Sequence, residues 1–368
     1  MIRSQLHKTK MLETKIRESN FELLRIVTML FILLHHFLVH GLKTAGYTHL
    51  YPHEQSTDSG IFLNSFFVIG VNVFILISGY FGIKQSWKSF LHLYSICLFY
   101  GVLLGIALGG STFFDALTVN YRPFSNRDFW FIQDYFFLWL LSPVLNSVIT
   151  GLKGNKQKFV FLLCIFAAFQ FYFGWFFEGK YNNDGYSFMN FIFLYFIGRF
   201  IALHTAKNKS LKLWYLSTYV IICLITGLLM IQHQFGKNWL EDRLYDYNSP
   251  FVIVESVAFF LIFRNVKLKS KIINWLATSV LAVYLITESP WIGKMYLYPF
   301  VNNLGKTIEN DWLLAFYLFA LAVVCVIACL LIDKIRIFIS TPFENLLCRI
   351  PVEKYIKLGL YKVSKLIN

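Results

Sequence analysis

Apolar residues in this chain gather in long runs rather than in stripes or alternations. From residue 21 onward, runs close to the ~17 to 25 residues that cross a ~30 Å hydrocarbon core alternate with short polar stretches. Runs at 21–41, 61–82, 90–110, 129–149, 159–177, 188–206, 213–232, 249–263, 273–292 and 311–332 predict about ten transmembrane helices in an all-α bundle. Residues 1–332 then make one membrane-embedded domain, and 333–368, where Ile, Phe, Leu and Tyr alternate with Lys, predict a basic amphipathic tail on the inner membrane surface. The first run is too long for the core of a signal peptide and lacks a small-residue cleavage site, so it is expected to stay as the first helix. No period of ~20 to 50 residues recurs, which removes solenoids and propellers.

Composition agrees with this. Hydrophobic residues make up 57% of the 368 and charged residues 15%, against ~25% charged in a soluble domain. A soluble globule is excluded. With the N-terminus inside and an even number of spans, the cytoplasmic segments hold 24 of the 34 Lys and Arg and the opposite side holds 8, which by the positive-inside rule puts both termini in the cytoplasm of a multi-pass plasma or inner-membrane protein. The formal charge of +14 follows from that topology and from contact with anionic membrane lipids, and no nucleic-acid partner is expected. The six cysteines lie in or beside apolar runs without metal-ligand spacing and read as packing residues.

The first run carries the most informative polar residues. Arg25 and His36 are eleven positions apart, so at ~100° per residue they lie within ~20° of one face, separated by a rise of ~16 Å. Glu22, Met29, Ile32 and His40 fall near the same stripe. An arginine inside a membrane is costly unless it meets a partner or a wet cavity, and so marks a site. The bland alternatives are that Arg25 only pairs with Glu22 and that His36 only bonds a neighbouring helix. His35, His36 and His40 together hint at a metal, but no acid at metalloprotease spacing accompanies them, and none is expected.

Four segments in order carry a family resemblance: Glu22 to Arg25 with His36; Gly70 to Phe81, including Asn72 and Ser78-Gly79-Tyr80; Trp130-Phe131-Ile132 with Tyr135, then Leu141 to Asn146; and Ala282 to Pro290. In these the chain resembles the acyltransferase-3 family of membrane O-acyltransferases, over nearly its whole length. The resemblance implies transfer of an acyl group, usually acetyl, from cytoplasmic acetyl-CoA through the bilayer to a hydroxyl of a surface polysaccharide or lipid-linked glycan. It also maps the family's paired Arg and His onto Arg25 and His36. The chain departs from the pattern in two ways: Ser89 and His92 stand where relatives commonly carry paired arginines, and Thr287 stands where they commonly carry His.

The residue types suit that chemistry by themselves. Acyl transfer to an alcohol needs a base beside the hydroxyl, for which His36 is the candidate, and Glu288, level with it near the end of the ninth run, is placed to orient the imidazole or bind a hydroxyl. Arg25, with Lys84 and Lys88, suits the phosphates of acyl-CoA, and Ser78, Gly79 and Tyr80 lie near the same cytoplasmic mouth. Asn72, Trp130, Tyr135 and Asn146 are the candidates for contacting the acceptor glycan. Gly101, Gly105 and Gly109 form a stripe typical of close helix packing. The rival reading is a transporter or flippase of a lipid-linked glycan, which also needs a polar column in an apolar bundle. All loops are short, so polysaccharide biosynthesis proteins that work with this chain would be separate partners.

Overall fold

The computed structural model describes residues 17–46, 57–125, 129–177, 184–234 and 241–352, and every regular element among them is helical. The basic leader and the last part of the expected tail, 353–368, lie outside the described residues. Polar residues at loop exits start the helices. Thr57, Ser86, Asn155, Ser187, Ser270 and Asn310 each accept a bond from the backbone N–H three positions on, which satisfies a donor that has no partner inside the helix.

In chain order the elements are α1 (Ser19–His36), prolonged by a π-helical segment (Phe37–Leu42); α2 (Asp58–Phe67); α3 (Gly70–Phe81); α4 (Trp87–Ala107); and α5 (Phe113–Asn120). Then come α6 (Trp130–Leu152), α7 (Lys156–Ala168), α8 (Phe188–His204), α9 (Lys212–Gln234) and α10 (Pro250–Arg264). The last are α11 (Lys271–Ala277), α12 (Val280–Thr287), α13 (Tyr298–Thr307) and α14 (Asp311–Leu347).

Among the described residues, eight helices are long and apolar enough to cross a bilayer, or up to nine if the bent pair 271–287 and 290–307 is one span. The expected ten are therefore eight or nine by this measure. The shortfall is α8, whose 17 residues rise only ~26 Å. The expected ninth helix breaks near its C-terminal end, because Ser289 and Pro290 stop it and the chain turns by 65° before continuing to α13. The last helix does not stop at 332. It runs for 37 residues in all, to Leu347, with Asp333 and Arg336 buried on the face turned to α4.

Helix α1 sits at the centre, touching α2, α3, α10, α11, α12 and α14. Its neighbour α3 is approached closely by α8, because Gly79 faces the backbone of Tyr195, and Gly198 faces the backbone of Leu76 and Tyr80. The glycine stripe of α4 behaves as read: Gly101 and Gly105 seat Asn120 and Ala116 of α5, and Gly109 seats Trp291. Outward faces are apolar, with Phe161, Trp214, Phe316 and Phe338 all exposed, as a bundle in lipid requires.

Candidate active site

Arg25, Met29, Ile32 and His36, four members of one α1 stripe, line a single cavity of about 350 Å³. The 3.6-residue period has placed them on one wall. Ser78 of α3, Ser89 and His92 of α4, Trp130, Tyr135 and Trp139 of α6, and Tyr284 of α12 complete much of the rest. The Arg25 guanidinium holds both carboxylate oxygens of Glu22 at 3.0 Å, and Glu22 is buried, so the charge is balanced while the guanidinium still borders the cavity. Arg17 also lines the cavity and lies 3.9 Å from Glu22.

Farther along α1, His36 Nδ1 lies 2.7 Å from Glu288 Oε1, and both side chains are largely covered, at 13% and 14% exposure. Glu288 occupies the corner of the bent pair, where its backbone N–H still bonds Tyr284 before the chain turns. The turn brings α13 back, so that the Tyr298 hydroxyl donates to the same Oε1. His40 follows one turn beyond His36, its ring 5.5 Å from those of both His36 and Tyr298. His36, His40 and Glu288 place three potential ligand atoms within 4.8 Å of one another, close enough for an ion to bridge, so the acid that the sequence pattern lacked arrives from another helix. His35 points elsewhere. It is buried against α2, its Nδ1 2.6 Å from Asn64 Oδ1.

Other expected site residues divide. Ser78, Trp130 and Tyr135 reach the cavity; Gly79, Tyr80, Lys84, Lys88, Asn72 and Asn146 are not on its lining. Gly79 serves the α3–α8 approach, and the Tyr80 ring packs on Phe21 and Phe260 while its carbonyl accepts from Arg199. Lys84 and Lys88 are exposed. Asn72 is buried and donates to the Tyr247 carbonyl at 2.8 Å. Asn146 donates to the Ile83 carbonyl and accepts from the Tyr195 hydroxyl, which in turn receives the Ile83 N–H. These asparagines fasten helix ends to neighbours, the usual fate of a buried amide. Residues not foreseen on the cavity are Arg17, Trp139, Tyr247 and Tyr284, and Tyr298 stands behind Glu288. Tyr284 lies one turn before Glu288 on the same helix face, a signal the sequence did offer.

A larger cavity, about 510 Å³, opens beyond Leu38 and is bordered by Lys43, Asn302, Lys306, Glu309 and Asp311. It contains neither Arg25 nor His36, and Leu38 and Leu42 face it from the side of the first helical rod away from His36 and His40. The chemistry gathers in the smaller one.

A sequence model described as an acyltransferase domain, Acyl_transf_3, matches residues 18–333. No curated protein and no solved structure matches the chain.

Proposed function

The chain belongs to the acyltransferase-3 family, and on that premise we propose that it moves an acetyl group from cytoplasmic acetyl-CoA to a sugar hydroxyl of an exported polysaccharide or lipid-linked glycan. The observation that carries this reading is the one cavity that Arg25 and His36 both line. A donor held by its phosphates at Arg25 and Arg17 extends its thioester along the ~16 Å of helix rise toward His36. Met29, Ile32, Phe74, Leu93 and Leu281 give the passage an apolar wall that suits an acyl-bearing arm and keeps water scarce.

At the far end the acceptor hydroxyl gives its proton to Nε2 of His36 while its oxygen attacks the thioester carbon. The carbon–sulfur bond then breaks, and the coenzyme leaves as a thiol carrying that proton. Glu288 beside Nδ1 fixes the ring and offsets the charge of the imidazolium formed between the two steps, the part a carboxylate plays in a catalytic triad. Tyr135 and Trp130, both lining residues, carry a hydroxyl and an indole N–H that serve as donors for the acceptor sugar or for the developing oxyanion. Lys84, Lys88, Gly79, Tyr80, Asn72 and Asn146 have no part in this mechanism.

Mass spectrometry of surface glycans from cells with and without the gene tests the reading. The expected result is loss of one ester-linked acetyl series on deletion and its return with the wild-type chain. An unchanged ester content, with lipid-linked glycan trapped on the inner leaflet, would favour the flippase reading.

A further inference from the structure

Tyr298 has no part in the transfer as written, yet it is built into the corner that holds Glu288. It is 8% exposed, and its hydroxyl donates to the carboxylate oxygen that faces His36. The segment that carries it is clamped to the turn after His36. The Asn302 amide donates to the Gly41 carbonyl at 3.1 Å, Gly41 seats Val301, and Gly305 seats Leu42. At the near end Ser289 accepts from the Ile292 N–H, Pro290 starts the returning helix, and Gly293 lies against the Thr287 carbonyl, where a side chain would not fit. Ten positions beyond Glu288, the chain has therefore been folded back so that a hydroxyl meets the carboxylate.

We propose that Tyr298 is a positioning residue for the acyl transfer, holding the Glu288 carboxylate on Nδ1 of His36 so that Tyr298, Glu288 and His36 work as one unit. This rests on His36 being the base. A tyrosine has one proton to give, and here it goes to the carboxylate; a carboxylate oxygen only accepts, so its 2.7 Å contact with His36 Nδ1, an ion-pair distance without hydrogen-bond alignment, favours a proton on Nδ1. That choice of tautomer leaves the lone pair on Nε2, where the acceptor proton must go. Loss of the phenol hydroxyl frees the carboxylate to rotate and lets the imidazole leave the attack geometry, with no effect on the Arg25 end.

The test is a double-mutant cycle on the full-length protein in detergent, with acetyl transfer to the glycan as readout. Tyr298→Phe keeps the ring against His40 and removes only the hydroxyl. The expected result is a fall in kcat of about 10- to 100-fold, less than the loss of a base outright, with KM for acetyl-CoA unchanged. In a Glu288→Gln background the same change is expected to cost less than about twofold, because the hydroxyl acts through the carboxylate. Equal losses in both backgrounds, a raised KM with kcat intact, or wild-type activity in Tyr298→Phe would overturn the proposal. His36→Ala, assayed alongside, separates the two ideas: full activity there defeats the base assignment itself, whereas an inactive His36→Ala beside a fully active Tyr298→Phe defeats only the positioning role.

Discussion

Because a helix advances ~100° per residue, Arg25 and His36 had to share a face, and in the folded chain they share a cavity. The proposed mechanism gives them separate tasks. Arg25 keeps a guanidinium edge on the cavity despite its bond to Glu22, so Arg25→Ala is expected to raise KM for acetyl-CoA by about 10- to 100-fold, the equivalent of ~1.5 to 3 kcal/mol in charge-assisted bonds. Arg25→Lys recovers only part of this, since an ammonium lacks the planar fork. Steady-state kinetics with each variant checks it, and an unaltered KM in Arg25→Ala would remove Arg25 from the donor site. The partner of His36 was legible only in outline. Glu288 could be placed level with it, but the hydroxyl of Tyr298 could not, because only a 65° turn brings residue 298 back beside residue 288. Asn72 and Asn146 misled for a different reason: a polar residue in an apolar run can face a ligand or satisfy itself on the next helix, and the sequence does not separate the two.

Among the elements, α14 departs most from the pattern of apolar runs. Asp333-Lys334-Ile335-Arg336 read as the charged edge of the membrane, where a tail begins. The helix instead continues, and the spacing of three puts Asp333 and Arg336 on one buried face, at 1% exposure or less, while Lys334 turns the other way to Thr278 and the Trp275 carbonyl. Arg336 holds Asp333 at 2.5 Å, and Tyr100 of α4 donates to the same carboxylate at 2.9 Å. Removing Asp333 leaves Arg336 with the Ser340 hydroxyl and the looser Glu344 carboxylate at 3.7 Å, so Asp333→Asn is expected to lower stability by ~3 kcal/mol, the low end for a broken buried pair. Joint replacement with Arg336→Met should recover part of the loss. Thermal unfolding in detergent measures both, and a silent Asp333→Asn would mean that the pair holds nothing together. From the same network Glu344 reaches Ser95 and His92, and His92 lines the cavity, so the last helix braces the wall opposite α1.

For the whole molecule, the bundle was plain in the sequence, since runs of apolar residues admit little besides membrane helices. Its count was less so, because length alone does not reveal where Pro290 breaks a run or how short α8 is. Sidedness rests on the 24 to 8 division of basic residues. The proposed topology expects a cysteine at Leu268 to be shielded from an impermeant thiol reagent in intact cells and one at Asp242 to react. The reverse pattern would turn the cavity around and put Arg25 out of reach of cytoplasmic acetyl-CoA.

The central claim, that His36 on this cavity takes the acceptor proton, is tested most directly by glycan O-acetylation in membranes containing His36→Ala or His35→Ala at matched expression. Removal of a general base costs ~10² to 10⁴-fold, so His36→Ala should leave no measurable ester while the protein still inserts. His35→Ala loses a buried bond to Asn64 away from the cavity and should retain most of the activity per folded molecule. Full acetylation in His36→Ala, or loss confined to His35→Ala, would contradict the account and move the reacting face of the first helix.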